Sequence, residues 1–246
     1  MSAPISVQLY SVRDALAADR PGTLARLREL GFTQVEPFGF ANGPDALHAD
    51  LEAAGLGVSS GHTSLVDADA DAALDAAALL GIPVAIEPAV RDVWTDADEV
   101  KRVAARLNDL AAQAAGRGLK VGYHNHWWEF EPLGEGTAYD LFVSELAPEV
   151  VLEVDTYWAT VGGQDAPELL RRLGDRVGFL HVKDGSLSED PTEQLPVGSG
   201  KVPVADILAA APGAVRVLEF DAYAGDLFEG LAEGLAFVTK TEGDRA

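Results

Sequence analysis

The sequence contains no cysteine, and only 18 basic residues accompany 40 acidic ones among its 246 residues. Without cysteine the protein has no disulfide, no thiolate metal ligand and no thiol nucleophile. The net charge of −22 would repel a polyanion, and no cluster of lysine and arginine offsets it, so we expect no nucleic-acid partner. Much of the acidity falls in helical segments such as 67–77, where it predicts solvated outer faces.

Long apolar runs are also missing, since no run approaches the ~20 residues that a membrane helix needs. The N-terminal residues lack the basic and apolar regions of a secretory signal. These absences predict a cytoplasmic protein without a membrane partner. The hydrophobic fraction of 48% is enough for a large core, and no linker or shift in composition divides the chain. We therefore expect a single domain over residues 1–246.

Short apolar segments rich in β-branched residues alternate with longer segments of helical periodicity along the chain. The predicted strands are 5–10, 34–38, 57–61, 84–88, 120–126, 150–155, 177–182 and 215–220. The predicted helices are 22–30, 43–54, 67–80, 95–117, 137–146, 165–173, 203–211 and 225–239. This succession predicts an α/β fold, a single (β/α)8 TIM barrel. The alternative, an open doubly wound sheet, usually has fewer units and a glycine-rich loop after the first strand, which is absent here.

Histidines and charged residues concentrate at the predicted strand ends, where TIM barrels carry their functional groups. These residues are Glu36, His62, Glu87, His124, His126, Glu153, Asp155, His181, Lys183, Glu219 and Asp221. Residues two apart on a strand point to the same side, and the ends of parallel strands lie together. The pattern therefore indicates groups that can converge on one divalent ion.

Four motifs resemble the xylose isomerase-like TIM-barrel family of sugar isomerases and epimerases. They are YHNHWWEF at 123–130, LEVDTYWATVGGQD at 152–165, FLHVKDG at 179–185 and VLEFD at 217–221. The segments ISVQLYSVRDAL and GFTQVEPFGF resemble the same family, so the resemblance extends over nearly the whole chain. Its specificity comes from the order and spacing of the set, because no single motif is decisive.

The resemblance implies a divalent metal ion, held in this family by Glu, Asp, His and Glu on strands five to eight. It assigns the last three ligands to Asp155, His181 and Glu219. The strand-five position aligns best with His124 in place of glutamate. The implied ligands are therefore two nitrogens and two carboxylates. Among manganese, zinc, iron, cobalt and magnesium, this set favours manganese or zinc and suits magnesium least.

The same departure at strand five affects the implied catalytic residues. Family epimerases exchange protons with one carbon through the glutamates of strands five and eight. Glu219 matches the second of these, whereas His124 replaces the first. We therefore expect His126 or Glu129, at or just beyond the end of strand five, to supply the second base.

For several further residues the sequence leaves both a functional and a structural role open. Lys183 either acts in catalysis, by holding a substrate oxygen or neutralising an enediolate, or forms a structural ion pair with Asp184 or Glu153. Contacts with substrate and structural roles are both open for Glu36, His62, Glu87 and Trp158. Segment 198–201, GSGK, resembles a phosphate-binding loop but lacks its glycine spacing and its final Ser or Thr, and is interpreted as a flexible loop.

The resemblance thus implies a divalent-metal-dependent isomerase or epimerase of a sugar, keto-sugar or polyol-derived ketone that works through an enediolate. A dehydratase or lyase acting on a keto-polyol or keto-glycoside would use the same enediolate. A non-catalytic sugar-binding barrel is the third alternative. The expected partner is a small carbohydrate, and the sequence leaves open whether the chain forms a homo-oligomer.

Overall fold

Parallel strands form the wall of a barrel in the computed structural model, which describes residues 5–244. The strands are β1 (Ile5–Gln8), β2 (Gln34–Glu36), β3 in two segments (Gly57–Val58 and Gly61–His62), β4 (Val84–Glu87), β5 (Lys120–His124), β6 (Val151–Asp155), β7 (Val177–Val182) and β8 (Val215–Leu218). Strand β1 pairs with both β2 and β8, so the first and last strands are neighbours. This arrangement confirms the predicted TIM barrel.

The two segments of β3 complete the circle. The first segment pairs with β2, and the second pairs with β4. Between them, the Ser59 amide donates to the Val35 carbonyl at 3.1 Å, and a parallel bridge joins Phe38 to His62. The predicted domain also includes residues 1–4 and 245–246, which lie outside the described residues.

Helices surround the strands. They are α1 (Arg13–Ala18), α2 (Arg20–Leu30), α3 (Pro44–Ala54), α4 (Ala70–Leu80), α5 (Ala97–Ala115), α6 (Ala138–Glu145), α7 (Thr156–Val161), α8 (Ala166–Leu173), α9 (Val204–Ala210) and α10 (Leu227–Gly243). The predicted helices correspond to all of these except the short α1 and α7. Within residues 5–244, no helix combines the length and the apolar composition that crossing a membrane requires.

Acidic side chains begin several of the outer helices, and glycines end them. Asp96 accepts hydrogen bonds from two amides of the first turn of α5, at 2.9 and 3.3 Å, and Asp69 accepts one from the first turn of α4, at 3.2 Å. Gly55 and Gly81 follow α3 and α4 with φ of 66° and 68°, a conformation that glycine adopts without strain. Part of the acidity of the chain therefore serves helix termini.

Inside the barrel, apolar and polar residues occupy successive positions of the same strands. Val84, Ile86, Phe179 and Val217 form a separate buried apolar cluster. Two residues after Phe179 and Val217 come His181 and Glu219, which point to the same side because strand side chains alternate. The apolar cluster therefore lies towards the N-terminal ends of the strands, and the polar groups lie towards the C-terminal ends.

Candidate metal centre

Four buried side chains from neighbouring strands meet at the C-terminal end of the barrel. His124 ends β5, Asp155 ends β6, His181 lies on β7, and Glu219 follows β8 directly. One ligand atom from each residue lies within 4.8 Å of those of the other three. The structure thus brings together the four residues that the family resemblance assigned to a metal ion.

A second group of the same kind shares two of these histidines. It contains His62, His124, Glu153 and His181, with one ligand atom of each again within 4.8 Å of the others. Glu153 Oε2 lies 2.5 Å from His62 Nε2, 3.0 Å from His124 Nδ1 and 3.1 Å from His181 Nε2. Glu153 therefore joins imidazoles from three strands, β3, β5 and β7.

The chemistry of these groups fits a divalent cation. Glu153 Oε1 and Asp155 Oδ2 are buried without a hydrogen-bond partner among the described residues. Asp155 Oδ2 is 2.8 Å from Lys183 Nζ, which is an ion-pair distance but does not satisfy hydrogen-bond geometry. Buried carboxylate oxygens normally have partners, and a pair of imidazole nitrogens with a pair of carboxylates suits manganese, iron or zinc.

The two candidate histidine ligands differ in their affinity for protons. Burial and the neighbouring His181 lower the pKa of His124 to about 3, so its imidazole is neutral. Burial opposes the charge of His181 as well, but Glu153, Glu219 and Glu36 raise the pKa of His181 well above 6.5. Its Nδ1 lies 2.6 Å from Glu219 Oε2, and its Nε2 lies 2.7 Å from Glu36 Oε1. A cation bound at His181 must therefore displace a proton.

Lys183 lies among carboxylates just beyond β7. Its Nζ is 2.8 Å from Asp155 Oδ2, 2.7 Å from Glu219 Oε2 and 2.6 Å from Asp221 Oδ2. Burial alone would lower the pKa of Lys183, but these carboxylates raise it well above 10.5. The ammonium group therefore balances part of the negative charge that the ends of β6 and β8 bring together. These partners differ from the two that the sequence suggested for an ion pair.

Glu36 and Glu87 both have protein partners. Glu36 Oε1 accepts a hydrogen bond from Gln8 Nε2 at 2.8 Å and contacts His181. Glu87 Oε2 accepts hydrogen bonds from two backbone amides of the loop after β3, at 2.7 and 2.8 Å. Neither side chain lines the cavity that opens beside the metal-ligand cluster. Glu36 thus orients His181, and Glu87 anchors a loop.

A cavity of about 440 Å³ opens onto the cluster. His62, His124 and Glu219 line it, together with Asp221. Its other aromatic lining residues are Tyr10, Phe38, His126, Trp127 and Trp158. Both the volume and the largely apolar wall with a few polar groups are typical of small-molecule sites.

His126 presents a neutral imidazole to this cavity. Its ring stacks on Trp128, with ring centroids 4.1 Å apart and 10° between the planes. Burial, with a smaller effect from His124, lowers the pKa of His126 well below 6.5. The Nδ1 atom of His126 is buried and has no hydrogen-bond partner among the described residues. The neutral ring is therefore able to accept a proton.

Glu129, the other base suggested by the sequence, lies behind His126 and outside the cavity lining. Its Oε1 accepts a hydrogen bond from the Tyr123 hydroxyl at 2.8 Å, and its Oε2 accepts one from the His126 amide at 2.9 Å. Burial raises the pKa of Glu129 to about 8. The geometry makes Glu129 a support for the backbone of His126.

Asp155 is held by hydrogen bonds with α7 and with the residue that follows β5. The Trp158 amide donates to Asp155 Oδ1 at 2.8 Å, while the Trp158 ring lines the cavity. Asn125 exchanges two hydrogen bonds with the Asp155 backbone, at 3.1 and 3.2 Å. Asn125, directly after β5, was not predicted as a site residue, although its position between His124 and His126 points its side chain away from theirs, towards the neighbouring strand.

Comparisons with known proteins agree with this architecture. The family model described as xylose isomerase-like TIM barrel matches residues 24–239. No curated protein matches the chain. A sugar phosphate isomerase/epimerase from Parabacteroides distasonis is similar to it with a TM-score of 0.82 and 26% identity, over 97% of this chain and 94% of that one.

Two more distant structures share the fold. One is a xylose isomerase-like TIM barrel protein from Mycobacterium smegmatis in complex with magnesium, with a TM-score of 0.69 and 18% identity over 98% of this chain and 96% of that one. The other is a probable 3-DHS dehydratase from Bacillus anthracis, with a TM-score of 0.75 and 14% identity over 96% of this chain and 98% of that one. The same barrel fold thus occurs in proteins that are named for different activities.

Proposed function

The chain belongs to the xylose isomerase-like TIM-barrel family, and from this premise we propose that it is a divalent-metal-dependent isomerase or epimerase of a sugar or related ketone. The observation that carries the proposal is the convergence of His124, Asp155, His181 and Glu219 beside an aromatic-lined cavity. The similarity to a sugar phosphate isomerase/epimerase supports the same class of reaction.

In this proposal the same four residues hold the ion. When bound, the ion would act as a Lewis acid that polarises the carbonyl of the substrate. The neutral His124 is ready to serve as a ligand, whereas His181 must first lose its proton. The mixed nitrogen and oxygen donors favour manganese or zinc. Magnesium belongs in the test because a protein of similar fold was crystallised with it.

Proton transfer is assigned to two residues that line the cavity. His126, whose neutral ring lines the cavity, accepts a proton from the carbon next to the substrate carbonyl. Burial favours the neutral form of Glu219, but Lys183 and His181 hold the pKa of Glu219 well below its usual range. Glu219 is therefore ionised and serves as the second base. Glu129 keeps the backbone of His126 in place.

Substrate contacts are assigned to the remaining lining residues. Trp158 and Trp127, with ring centroids 4.6 Å apart, provide an apolar wall for the carbon face of a sugar. His62 reaches the cavity from β3 and offers a polar group for a substrate hydroxyl. Glu36 and Glu87 do not line the cavity. Glu36 contacts His181, and Glu87 anchors the loop after β3.

A dehydratase or lyase is the second candidate, favoured by the similarity to a probable 3-DHS dehydratase. Both reactions begin with removal of a proton next to a carbonyl, and they differ in whether a neighbouring oxygen then leaves. The products distinguish them, because elimination creates a conjugated carbonyl compound that absorbs in the ultraviolet.

Metal binding is tested first. Separate samples of purified protein are loaded with manganese, zinc or magnesium, dialysed and measured by elemental mass spectrometry, in parallel with His181→Ala. We expect about one ion per chain in the parent and little in the variant. His48→Ala, on the outer helix α3, is the matched control and should keep its metal. Equal metal in all three proteins would refute the assigned site.

Turnover is tested next in deuterated water. Ketoses and keto-acids are incubated with the loaded protein, and deuterium at carbon next to the carbonyl is followed by NMR. Isomerase or epimerase chemistry predicts incorporation without loss of oxygen. A protein that holds metal but exchanges no substrate would support the alternative of a non-catalytic sugar-binding barrel.

A further inference from the structure

The two ring nitrogens of His124 face different carboxylates. Its Nε2 lies 3.7 Å from Asp155 Oδ2, inside the metal-ligand cluster, the group of four residues assigned to the ion. Its Nδ1 lies 3.0 Å from Glu153 Oε2, and Glu153 does not belong to that cluster. Glu153 and Asp155 are two residues apart on β6, so both carboxylates point to the same side of the strand.

His181 is arranged in the same way. Its Nδ1 lies 2.6 Å from Glu219 Oε2, inside the metal-ligand cluster. Its Nε2 lies 2.7 Å from Glu36 Oε1 and 3.1 Å from Glu153 Oε2. Each of the two candidate histidine ligands therefore presents one nitrogen to the cluster and the other to a carboxylate outside it.

This arrangement is the one that metal-bound histidines usually have. A histidine ligand normally donates its second N–H to a carboxylate or a carbonyl, which fixes the ring and decides which nitrogen is left for the metal. The neutral ring of His124 carries a single proton. When Glu153 accepts that proton on Nδ1, the lone pair of Nε2 is left for the ion.

The group of His62, His124, Glu153 and His181 could also be read as a site for a second ion. A neutral imidazole has only one unprotonated nitrogen. Two ions at once would require His124 and His181 to bind metal through both nitrogens, and each ring would have to lose a further proton. His62 Nε2 instead lies 2.5 Å from Glu153 Oε2 and 3.3 Å from Glu36 Oε1, where it joins the two outer carboxylates.

We propose that Glu153 is a positioning residue of the metal centre, which holds the proton of His124 on Nδ1 and thereby directs Nε2 to the ion. Glu153 itself does not bind the ion. The part of this proposal that concerns the ion rests on the proposed function, whereas the control of the His124 proton by Glu153 does not.

The position of the proton is tested without metal. Protein labelled with ¹⁵N in its histidine rings is stripped of metal, and long-range ¹H–¹⁵N NMR identifies the protonated nitrogen of each ring. The signals of His124 are those that His124→Gln lacks. We expect the proton on Nδ1 in the parent and its loss from Nδ1 in Glu153→Ala. The matched control is Glu87→Gln, because Glu87 is another buried glutamate at a strand end but accepts hydrogen bonds from backbone amides.

A parent protein with the His124 proton on Nε2 would overturn the proposal, and this result does not depend on how the variants fold. A Glu153→Ala protein with a native circular dichroism spectrum that keeps the proton on Nδ1 would also overturn it. Should Glu153→Ala prove unfolded, Glu153→Leu takes its place, since leucine fills a similar volume without an acceptor and is expected to lose the Nδ1 proton as well.

The effect on the ion is measured with zinc, as a dissociation constant from competition with a chromophoric chelator. We expect Glu153→Ala to bind zinc about 10–100-fold more weakly than the parent. Glu153→Gln should lose less, because its amide oxygen can accept the same hydrogen bond, and Glu87→Gln should keep the affinity of the parent.

Unchanged zinc affinity in Glu153→Ala would contradict the positioning role. Two ions in the parent and one in Glu153→Ala would also contradict it, because Glu153 would then be a ligand of a second ion. A parent protein that binds no zinc, manganese or magnesium would contradict the proposed function, while the NMR result still decides whether Glu153 orients His124.

Discussion

At the scale of single residues, side chains of the same type in the barrel interior differ in pKa because their surroundings differ. His124 and His181 have ring centroids 4.4 Å apart, yet burial lowers the pKa of the first to about 3 while three carboxylates raise that of the second. Glu129 and Glu153 differ in the same way. Burial raises the pKa of Glu129 to about 8, whereas neighbouring histidines hold the pKa of Glu153 low against burial.

The raised pKa of Glu129 predicts a pH-dependent stability. The carboxyl ionises near pH 4.5 in the unfolded chain and near pH 8 in the folded one. Between these values the folded state binds the extra proton, so the contribution of Glu129 to stability falls as pH rises from 4.5 to 8. Relative to Glu129→Gln, the loss should be on the order of 3 kcal/mol. Urea unfolding of the metal-free proteins at pH 5 and pH 8 measures it.

The control for this prediction is Glu131→Gln, two residues along and exposed. Its stability should follow the pH profile of the parent. A profile of Glu129→Gln parallel to that of the parent would show that Glu129 is already ionised in the folded protein.

Some site residues could be predicted from the sequence, whereas some of their contacts could not. His124, Asp155, His181 and Glu219 were predictable because parallel strands bring their ends together, and each residue lies at such an end. The contacts of Asp184 were not predictable, because the backbone amides of Gly198, Gly200 and Val202 that donate to its carboxylate lie up to 18 residues further along the chain. The partners of Lys183 likewise depend on distances between strands that spacing along the chain does not encode.

At the scale of elements, the eight predicted strands each correspond to a strand of the barrel because apolar runs and polar ends mark them clearly. The split of β3 follows from the polar pair Ser59 and Ser60 between its segments. Helix α7 was missed because TYWATV is rich in β-branched and aromatic residues, which have low helix propensity. The helix forms because Asp155 caps it, accepting from the Trp158 amide at 2.8 Å.

This double use of Asp155 gives a prediction at the level of the element. Asp155→Asn keeps a side-chain oxygen for the cap but loses the charge, whereas Asp155→Ala loses both. Both variants should lose most of the bound manganese, while Asp155→Ala should be less stable than Asp155→Asn by about 1 kcal/mol. Metal content and urea unfolding of the metal-free proteins separate the two effects. Equal stability of the two variants would contradict the capping role.

At the scale of the whole molecule, the site concentrates charge that the fold must hold together. Four carboxylates that are each at most 6% exposed lie at the C-terminal ends of three strands. They are Glu36 of β2, Glu153 and Asp155 of β6, and Glu219 directly after β8. Lys183 and the histidines offset this charge only in part. The strands that carry the candidate ligands, β5 to β8, are neighbours in the barrel. An ion held by all four would therefore cross-link half of the barrel wall.

Metal loading should therefore stabilise the entire fold. A ligand that binds only the folded state at a hundred times its dissociation constant contributes about 2.7 kcal/mol. For a chain of this length each kcal/mol shifts the melting temperature by roughly 2–4 °C, so manganese should raise it by roughly 5–10 °C. Calorimetry with and without chelator measures the shift. His48→Ala should retain it and His181→Ala should lose it, because only His181 belongs to the site. A shift that survives in His181→Ala would place the stabilising ion elsewhere on this acidic molecule.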